Sequence, residues 1–331
     1  MGARKDAWEG AMCVALVLCL ALLSVELSFK FRFEKLDHMF RSDLETLRGH
    51  ALIPEFQNRI IAPLMLYAAR QLAPAGVDNG LIWHGTRTLS AFLSYLVVFG
   101  AVFRLTGGRL RALIAVGLVT YAYLWTPMTS PYELSNDFYD VMFISLFVAC
   151  TLAERPVALI VLAIIASANR ESSAFAGVIW LGVAVMRYGW HPRHWRKFLP
   201  GFIATLSAAA TVIALRHSLS FEFQPVQFFG ILWTLQHWQR LFSPFGAVPM
   251  LLATILGFTM MLRLLPRPWT VEQRGLLLAA GICAAITSIF GVTFELRVWL
   301  PVWTILSFLA VTGADGLGDR DWLATLGYRK P

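Results

Sequence analysis

Charged residues are scarce in this sequence. Only 15% of the 331 residues are Asp, Glu, Lys or Arg, whereas 57% are hydrophobic. An average soluble domain carries about 25% charged residues, so the shortage excludes an ordinary soluble protein. The apolar residues stand in runs of about 17 to 20, which are long enough to cross a bilayer as helices. We therefore expect an all-α polytopic integral membrane protein, with residues 1–331 forming a single transmembrane domain.

Cysteine is also rare, and a soluble domain is missing. The four cysteines lie inside apolar runs and lack the spacing of a metal site or a disulfide framework. The net charge is +8, but no basic patch interleaved with aromatic residues stands on a soluble segment, so we expect no nucleic-acid partner. The surplus of Lys and Arg is instead expected in loops on one side of a membrane.

Eleven apolar runs define the expected topology. The run at 59–74 is the weakest because Pro63, Arg70 and Gln71 interrupt it, so we expect a re-entrant or interfacial helix there and about ten transmembrane helices elsewhere. The basic loop 187–197 belongs in the cytoplasm by the positive-inside rule. Alternation then places both termini in the cytoplasm of a multi-pass protein of the bacterial cytoplasmic (inner) membrane. The other runs lie at 11–29, 86–105, 112–127, 138–153, 157–168, 173–187, 199–216, 245–263, 275–293 and 298–313.

In the segment SANRESS, Asn169, Arg170 and Glu171 lie between two short apolar runs. Because these runs are short, the turn is expected to lie below the membrane surface. A charged group at such depth costs about 2.5 to 3.5 kcal/mol on insertion scales, and it persists by pairing or by lining a wet cavity. One interpretation is a substrate site, and the other is a structural Arg170–Glu171 ion pair between helices.

Two pairs of acids are the candidate catalytic residues. Asp137 and Asp140 are three residues apart, so both can project from one side of a helix, although helix capping alone would explain one of them. Asp43 and Glu45 form an acid–x–acid pair that could accept a proton or hold a divalent cation. A solvated helix face is the simpler explanation of the second pair.

Two further outer segments each combine an arginine with a carboxylate. PEFQNRIIAP contains Glu55, Gln57 and Arg59, and TFELRVWLP contains Glu295 and Arg297. Arginine presents a planar fork of donors that suits phosphate. Because the expected topology places these segments, the acids and the SANRESS turn on the same outer face, we interpret them as one candidate substrate site.

The order of the segments FQNRIIAP, NDFYD, NRES and FELRVWLP resembles that of bacterial polytopic proteins related to the GT-C class of glycosyltransferases. The resemblance implies a GT-C-like helical core, a lipid-linked sugar donor (a polyprenyl-phosphate sugar) and an acceptor on the non-cytoplasmic face, with membrane lipid around the protein. It implies catalytic roles for acids, substrate-binding roles for the other outer polar residues, and a site compatible with a divalent cation, whereas neither a cofactor nor a protein partner is specified. The implied catalytic residues are Asp43, Glu45, Asp137 and Asp140, and the implied substrate-binding residues are Glu55, Gln57, Arg59, Asn169, Arg170, Glu171, Glu295 and Arg297.

Two other functions remain open at this point. A transporter or flippase could use the same arginines to hold an anionic or lipid-linked substrate, and a non-catalytic assembly subunit would need none of them for chemistry. The sequence also departs from the GT-C pattern, since no large soluble domain follows the helices and the first outer loop lacks the usual pair of aspartates. The gathering of polar groups on one face favours the enzyme, because alternating access needs a site reachable from both sides.

Overall fold

The computed structural model describes residues 2–31, 59–125, 135–219, 269–290 and 299–312, with the isolated positions 41, 44, 45, 47, 255–257 and 259. Every regular element in these residues is helical, as the apolar runs predict. Short 3₁₀ turns occupy Glu171–Ala174 and Pro192–His194. The α-helices are α1 (Gly2–Phe31), α2 (Ile61–Leu72), α3 (Asn79–Thr106), α4 (Arg109–Leu124), α5 (Asn136–Leu152), α6 (Pro156–Ser167), α7 (Phe175–Tyr188), α8 (Trp195–Leu219), α9 (Val271–Phe290) and α10 (Leu300–Val311).

Local sequence signals set several of these boundaries. Asp78 caps α3, because its carboxylate accepts a hydrogen bond from the backbone nitrogen of Leu81 at 3.1 Å. Gly107 ends the same helix with a φ of 69°, a left-handed conformation that glycine adopts without steric cost. Pro156 opens α6, where its missing N–H removes no helical hydrogen bond. The apolar run at 245–263 lies outside the described residues except at 255–257 and 259.

Three helices in the described part of the chain are long and apolar enough to cross a membrane. They are Asp6–Leu27, Asn79–Thr106 and Pro192–Ser218. Their outward surfaces carry large exposed aliphatic side chains, including Leu22 and Leu206. A soluble monomer rarely exposes extensive apolar surface. Length and outward apolarity together indicate a membrane protein.

Ion pairs between helices define two ends of the bundle. We call the end that contains the start of α5 and the turn at 168–174 the upper end, where Arg170 contacts Asp137. The lower end contains the end of α7 and the start of α9, where Arg187 contacts Glu272 at 3.0 Å. Helices α5 to α8 run alternately between these ends. The N-terminal helix follows the same pattern, because Glu9 near its start contacts Arg109 and Glu26 near its end contacts His84.

Helix α2 differs from its neighbours because it stays near the upper end. Its 12 residues span about 18 Å, well short of a hydrocarbon layer of about 30 Å. Just before it, the backbone nitrogen of Ile60 donates to the carbonyl oxygen of Ala168 at 2.7 Å, in the upper turn. Within the helix, Leu66 packs against Ile82 and Trp83 at the start of α3. Helix α2 is therefore too short to cross such a layer by itself.

Glycines let α7 lie directly against two neighbouring helices. A Cβ atom at Gly177 would collide with the backbone of Gly201 in α8, and one at Gly182 would lie 2.7 Å from the carbonyl oxygen of Gly275 in α9. Small residues at helix contacts allow this close backbone approach within membranes. The contact between α7 and α8 positions the turn that precedes α7, which carries the polar residues of the upper end.

Candidate functional site

Six charged side chains meet at the upper end of the bundle, and we call them the upper cluster. They come from four segments: the start of α5, the turn at 168–174, the chain before α2 and the last turns of α8. Three are carboxylates and three are guanidinium groups, so the set is formally neutral. The members are Arg59, Asp137, Asp140, Arg170, Glu171 and Arg216.

Arg170 joins both aspartates of α5. Its Nη1 atom lies 2.8 Å from Oδ1 of Asp137 and 3.5 Å from Oδ2 of Asp140. The three residues are only 8%, 1% and 3% exposed, in the order Arg170, Asp137, Asp140. The hydroxyl of Ser172 donates to Oδ1 of Asp140. The prediction that Asp137 and Asp140 project from one side of a helix is therefore confirmed, and both acids belong to the same ionic site.

Glu171 forms the second half of the cluster. Its Oε2 atom accepts from Nη2 of Arg59 at 3.3 Å, and its Oε1 atom accepts from Nη2 of Arg216. The Glu171 side chain is 37% exposed, whereas the side chains of Arg59 and Arg216 are 9% and 14% exposed. Partial burial raises the pKa of the Glu171 carboxyl, but the charges of Arg59 and Arg216 outweigh that effect, and the pKa lies below its ordinary 4.5.

The alternative interpretation of SANRESS, a structural ion pair between Arg170 and Glu171, names the wrong partners. Arg170 has an extended backbone, with φ of −164° and ψ of 158°. Successive side chains of an extended chain point to opposite sides. Arg170 is therefore directed to the aspartates of α5, while Glu171 is directed to Arg59 and Arg216. Each neighbour binds a partner that is distant in the sequence.

The turn that carries these residues lies deep against α8. The hydroxyl of Ser167 donates to the carbonyl oxygen of Ala208 at 3.2 Å. Ala208 stands 11 residues before Leu219, the last residue of α8, which corresponds to about 16 Å of helix. The short apolar runs on either side of SANRESS predict this recessed position.

Three buried acceptor atoms beside the turn lack a hydrogen-bond donor within the described ranges. They are Oδ1 of Asn136, Oδ1 of Asn169 and Oδ2 of Asp140. The amide nitrogen of Asn169 donates to the carbonyl oxygen of Asn136 at 3.0 Å, which holds the two asparagines together. Buried acceptors normally have donors, and leaving one without costs about 1 to 3 kcal/mol. These atoms offer hydrogen-bonding positions for ligand hydroxyl groups.

Sequence reasoning missed two arginines at this end. Arg216 lies near the end of α8 and contacts Glu171. Arg87 in α3 is buried, donates to the hydroxyl of Tyr123 at 2.9 Å and lies over the ring of Trp83. The available signal was an arginine inside an apolar run close to an outer loop. The sequence pattern predicts only membrane-spanning segments for both runs.

The remaining predicted site residues have different outcomes. Asp43, Glu55, Gln57, Glu295 and Arg297 lie outside the described residues. Glu45 is half-buried, and its neighbour Leu44 packs against the cluster of Leu66, Ile82 and Trp83 at the upper end. Across the described positions, no group of three or more His, Cys, Asp or Glu side chains is arranged to hold a metal ion.

The chain matches no family model, no curated protein and no solved structure. The upper cluster lies at a recessed turn, its charges sum to zero, and buried acceptor atoms beside it receive no hydrogen bond from the residues that the structure describes. The two aspartates are its most enclosed members, and Glu171 is its most exposed member. The arrangement is suited to binding a ligand that carries hydroxyl groups and an anionic group.

Proposed function

We propose that this protein is a membrane glycosyltransferase of the GT-C type. It would transfer a sugar from a polyprenyl-phosphate carrier to an acceptor on the face of the membrane at the upper end, the non-cytoplasmic face. The observation that carries the proposal is the convergence of Asp137, Asp140, Arg170 and Glu171 on one recessed position beside buried acceptors. Sugars carry several hydroxyl groups, and each hydroxyl can donate a hydrogen bond to one of these buried acceptor atoms.

Asp140 is the proposed general base. Ser172 donates to Oδ1 of Asp140, whereas Oδ2 lies 3.5 Å from Nη1 of Arg170 and accepts no hydrogen bond from the described residues. A general base must lie within hydrogen-bond reach of the hydroxyl that it deprotonates. In the transfer, Asp140 removes the acceptor proton as the acceptor oxygen bonds to the anomeric carbon. The bond from that carbon to the phosphate oxygen breaks, and its electron pair leaves with the polyprenyl phosphate.

The other charged residues would position these groups. Arg170 fixes both aspartates through its contacts at 2.8 and 3.5 Å. Arg59 and Arg216, which both contact the partly exposed Glu171, would stabilise the departing phosphate, since guanidinium groups bind phosphate through paired donors. Glu171 would orient these two arginines until the phosphate replaces it. Asn169 would contact a sugar hydroxyl.

We also propose a transmembrane topology for the chain. It comprises about ten transmembrane helices, a re-entrant or interfacial α2, and both termini in the cytoplasm of a bacterial inner membrane. The lower end carries the basic loop with Arg187, Arg193, Arg196 and Lys197, which the positive-inside rule assigns to the cytoplasm. The upper cluster then faces the opposite side, where polyprenyl-linked donors would be used.

The test separates transfer from transport. The protein, reconstituted in liposomes, is given polyprenyl-phosphate sugars radiolabelled in the sugar, with a bacterial membrane extract as acceptor. We expect release of polyprenyl phosphate and movement of the label to the extract. Passage of the intact donor across the bilayer would instead indicate a flippase of a lipid-linked substrate. The absence of both transfer and passage across the donor panel would favour a non-catalytic assembly subunit.

A further inference from the structure

A second polar site lies at the lower end of the bundle, far from the upper cluster. It is a cavity of about 240 Å³ between the ends of α5 and α7 and the starts of α6 and α8. Its polar lining includes one carboxylate, one phenol, one indole and three cations. These residues are Glu154, Trp180, Arg187, Tyr188, Arg196 and Lys197.

The cations of this cavity differ in their partners. Arg187 is neutralised, because it contacts Glu154 and lies 3.0 Å from Glu272. Arg196 and Lys197 have no carboxylate within ion-pair distance among the residues that the structure places. Arg196 lies over the ring of Trp195 at 5.8 Å, and Nζ of Lys197 lies 5.1 Å from the ring of Tyr188. The cavity therefore has two cations available to an anion.

The wall of the cavity is held in place by direct contacts between helices. Nε1 of Trp180 in α7 donates to the carbonyl oxygen of Lys197 at 2.8 Å, which fixes the start of α8. The hydroxyl of Tyr188 donates to Oε1 of Glu154 at 3.2 Å, which fixes the end of α7 to the chain after α5. Because these contacts use the backbone of Lys197 and not its ammonium group, the ammonium remains available for a ligand.

The surroundings of the cavity are those of a membrane interface. Trp190 is 73% exposed and Trp195 is 56% exposed. Leu199 and Val157, which follow the starts of α8 and α6, are also exposed. Exposed tryptophans at helix ends are typical of the headgroup level of a bilayer, and aliphatic side chains next to them contact acyl chains. A ligand here would combine an anionic head with an apolar tail.

We propose that this cavity binds the phosphodiester headgroup of an anionic phospholipid, with Arg196 and Lys197 contacting the phosphate. Basic pockets between membrane helices bind anionic headgroups in this way. A phospholipid is favoured over free phosphate, because the exposed tryptophans and Leu199 would contact its acyl chains and offer nothing to an inorganic ion. The inference does not depend on the proposed transferase activity, since it concerns the opposite end of the molecule.

The test uses the purified full-length protein in a neutral detergent with phosphatidylglycerol, phosphatidylcholine or inorganic phosphate added. We expect phosphatidylglycerol to raise the melting temperature by several degrees and to be retained in native mass spectra. The Arg196→Gln, Lys197→Gln double variant should bind it about 30-fold more weakly, as the loss of two interfacial cations predicts. Both side chains are exposed, so we expect the variant to fold.

The matched control is the Arg104→Gln, Arg274→Gln double variant. These arginines are also exposed near the lower end and lie outside this cavity, so the variant loses the same charge and should keep wild-type lipid binding. An equal loss of phosphatidylglycerol binding in both double variants would overturn the proposal and would indicate unspecific charge attraction. Equal stabilisation of the wild type by phosphatidylcholine or by inorganic phosphate would overturn it as well.

Discussion

Nη1 of Arg170 donates to Oδ1 of Asp137 at 2.8 Å, joining the turn after α6 to the start of α5. Both residues are buried. In such an environment, the cost of removing water from the charges offsets much of their attraction, so the pair by itself is weak evidence of a stabilising role. Replacing only one partner destabilises the protein, because the other partner is then left as an uncompensated buried charge.

The first prediction concerns this pair. Arg170→Met should lower the free energy of unfolding by about 3 to 5 kcal/mol, whereas Arg170→Met combined with Asp137→Asn should recover most of that loss. Thermal unfolding in detergent measures both variants. Arg187→Met is the control, since its two partners, Glu154 and Glu272, are 52% and 34% exposed and such exposed pairs contribute about 0 to 1 kcal/mol each.

An Arg170→Met variant that is as stable as Arg187→Met would contradict the buried pairing. A double variant that is no more stable than Arg170→Met would contradict the direct link to Asp137 and would shift the main partnership to Asp140.

The helices could be predicted from the sequence because an apolar run long enough to cross a bilayer has few alternatives to helix. The partners of Arg170 could not be predicted. Its neighbour Glu171 is the obvious candidate in the sequence, but the extended backbone at Arg170 separates the two side chains. The true partner stands 33 residues away and is identified only by the packing of α5 against the turn.

The depth of the turn was predictable, whereas the role of Arg216 was not. The short runs on both sides of SANRESS predict a recessed turn, and Ser167 contacts the middle of α8. Arg216 reaches Glu171 because α8 extends well beyond that level. The lengths of two helices that are separated in the chain decide this contact, so no local pattern reveals it.

The second prediction is a pH dependence that arises from Glu171. Because its pKa lies below the ordinary 4.5 in the folded protein, its ion pairs contribute stability above that value, and this contribution is lost as the pH falls through the lower folded-state pKa. Melting temperatures of the wild type and Glu171→Gln should therefore differ at pH 7 and converge in acid. A difference that is constant with pH would contradict the lowered pKa.

The third prediction concerns the close contact of α7 with α8. Gly177→Ala should destabilise the protein, because the added methyl group would meet the backbone of Gly201. Gly100→Ala in α3 is the control, since nothing lies within 4 Å of its added Cβ, and alanine has the better helix propensity by about 1 kcal/mol. Thermal unfolding should show a lower melting temperature for Gly177→Ala and no decrease for Gly100→Ala. Equal stability of the two would contradict the close contact.

The fourth prediction tests which end faces the cytoplasm. In a variant whose four cysteines are replaced with alanine, Ala75→Cys at the upper end should react with an impermeant thiol reagent in intact cells. Arg193→Cys at the lower end should react only after the membrane is opened. Both positions are exposed. The reverse pattern would place the upper cluster in the cytoplasm and contradict the proposed site of transfer.

We propose that the upper cluster performs sugar transfer and is not merely a structural ion-pair network. Release of polyprenyl phosphate by Asp140→Asn tests it most directly, because asparagine keeps an oxygen for Ser172 but cannot accept the acceptor proton. Glu154→Gln is the control, as it removes a carboxylate from the ion pairs of the lower end. We expect Asp140→Asn to fold with a melting temperature near that of the wild type and to lose about 10²- to 10⁴-fold in rate, while Glu154→Gln keeps its activity. A folded Asp140→Asn variant that releases polyprenyl phosphate at the wild-type rate would contradict the account.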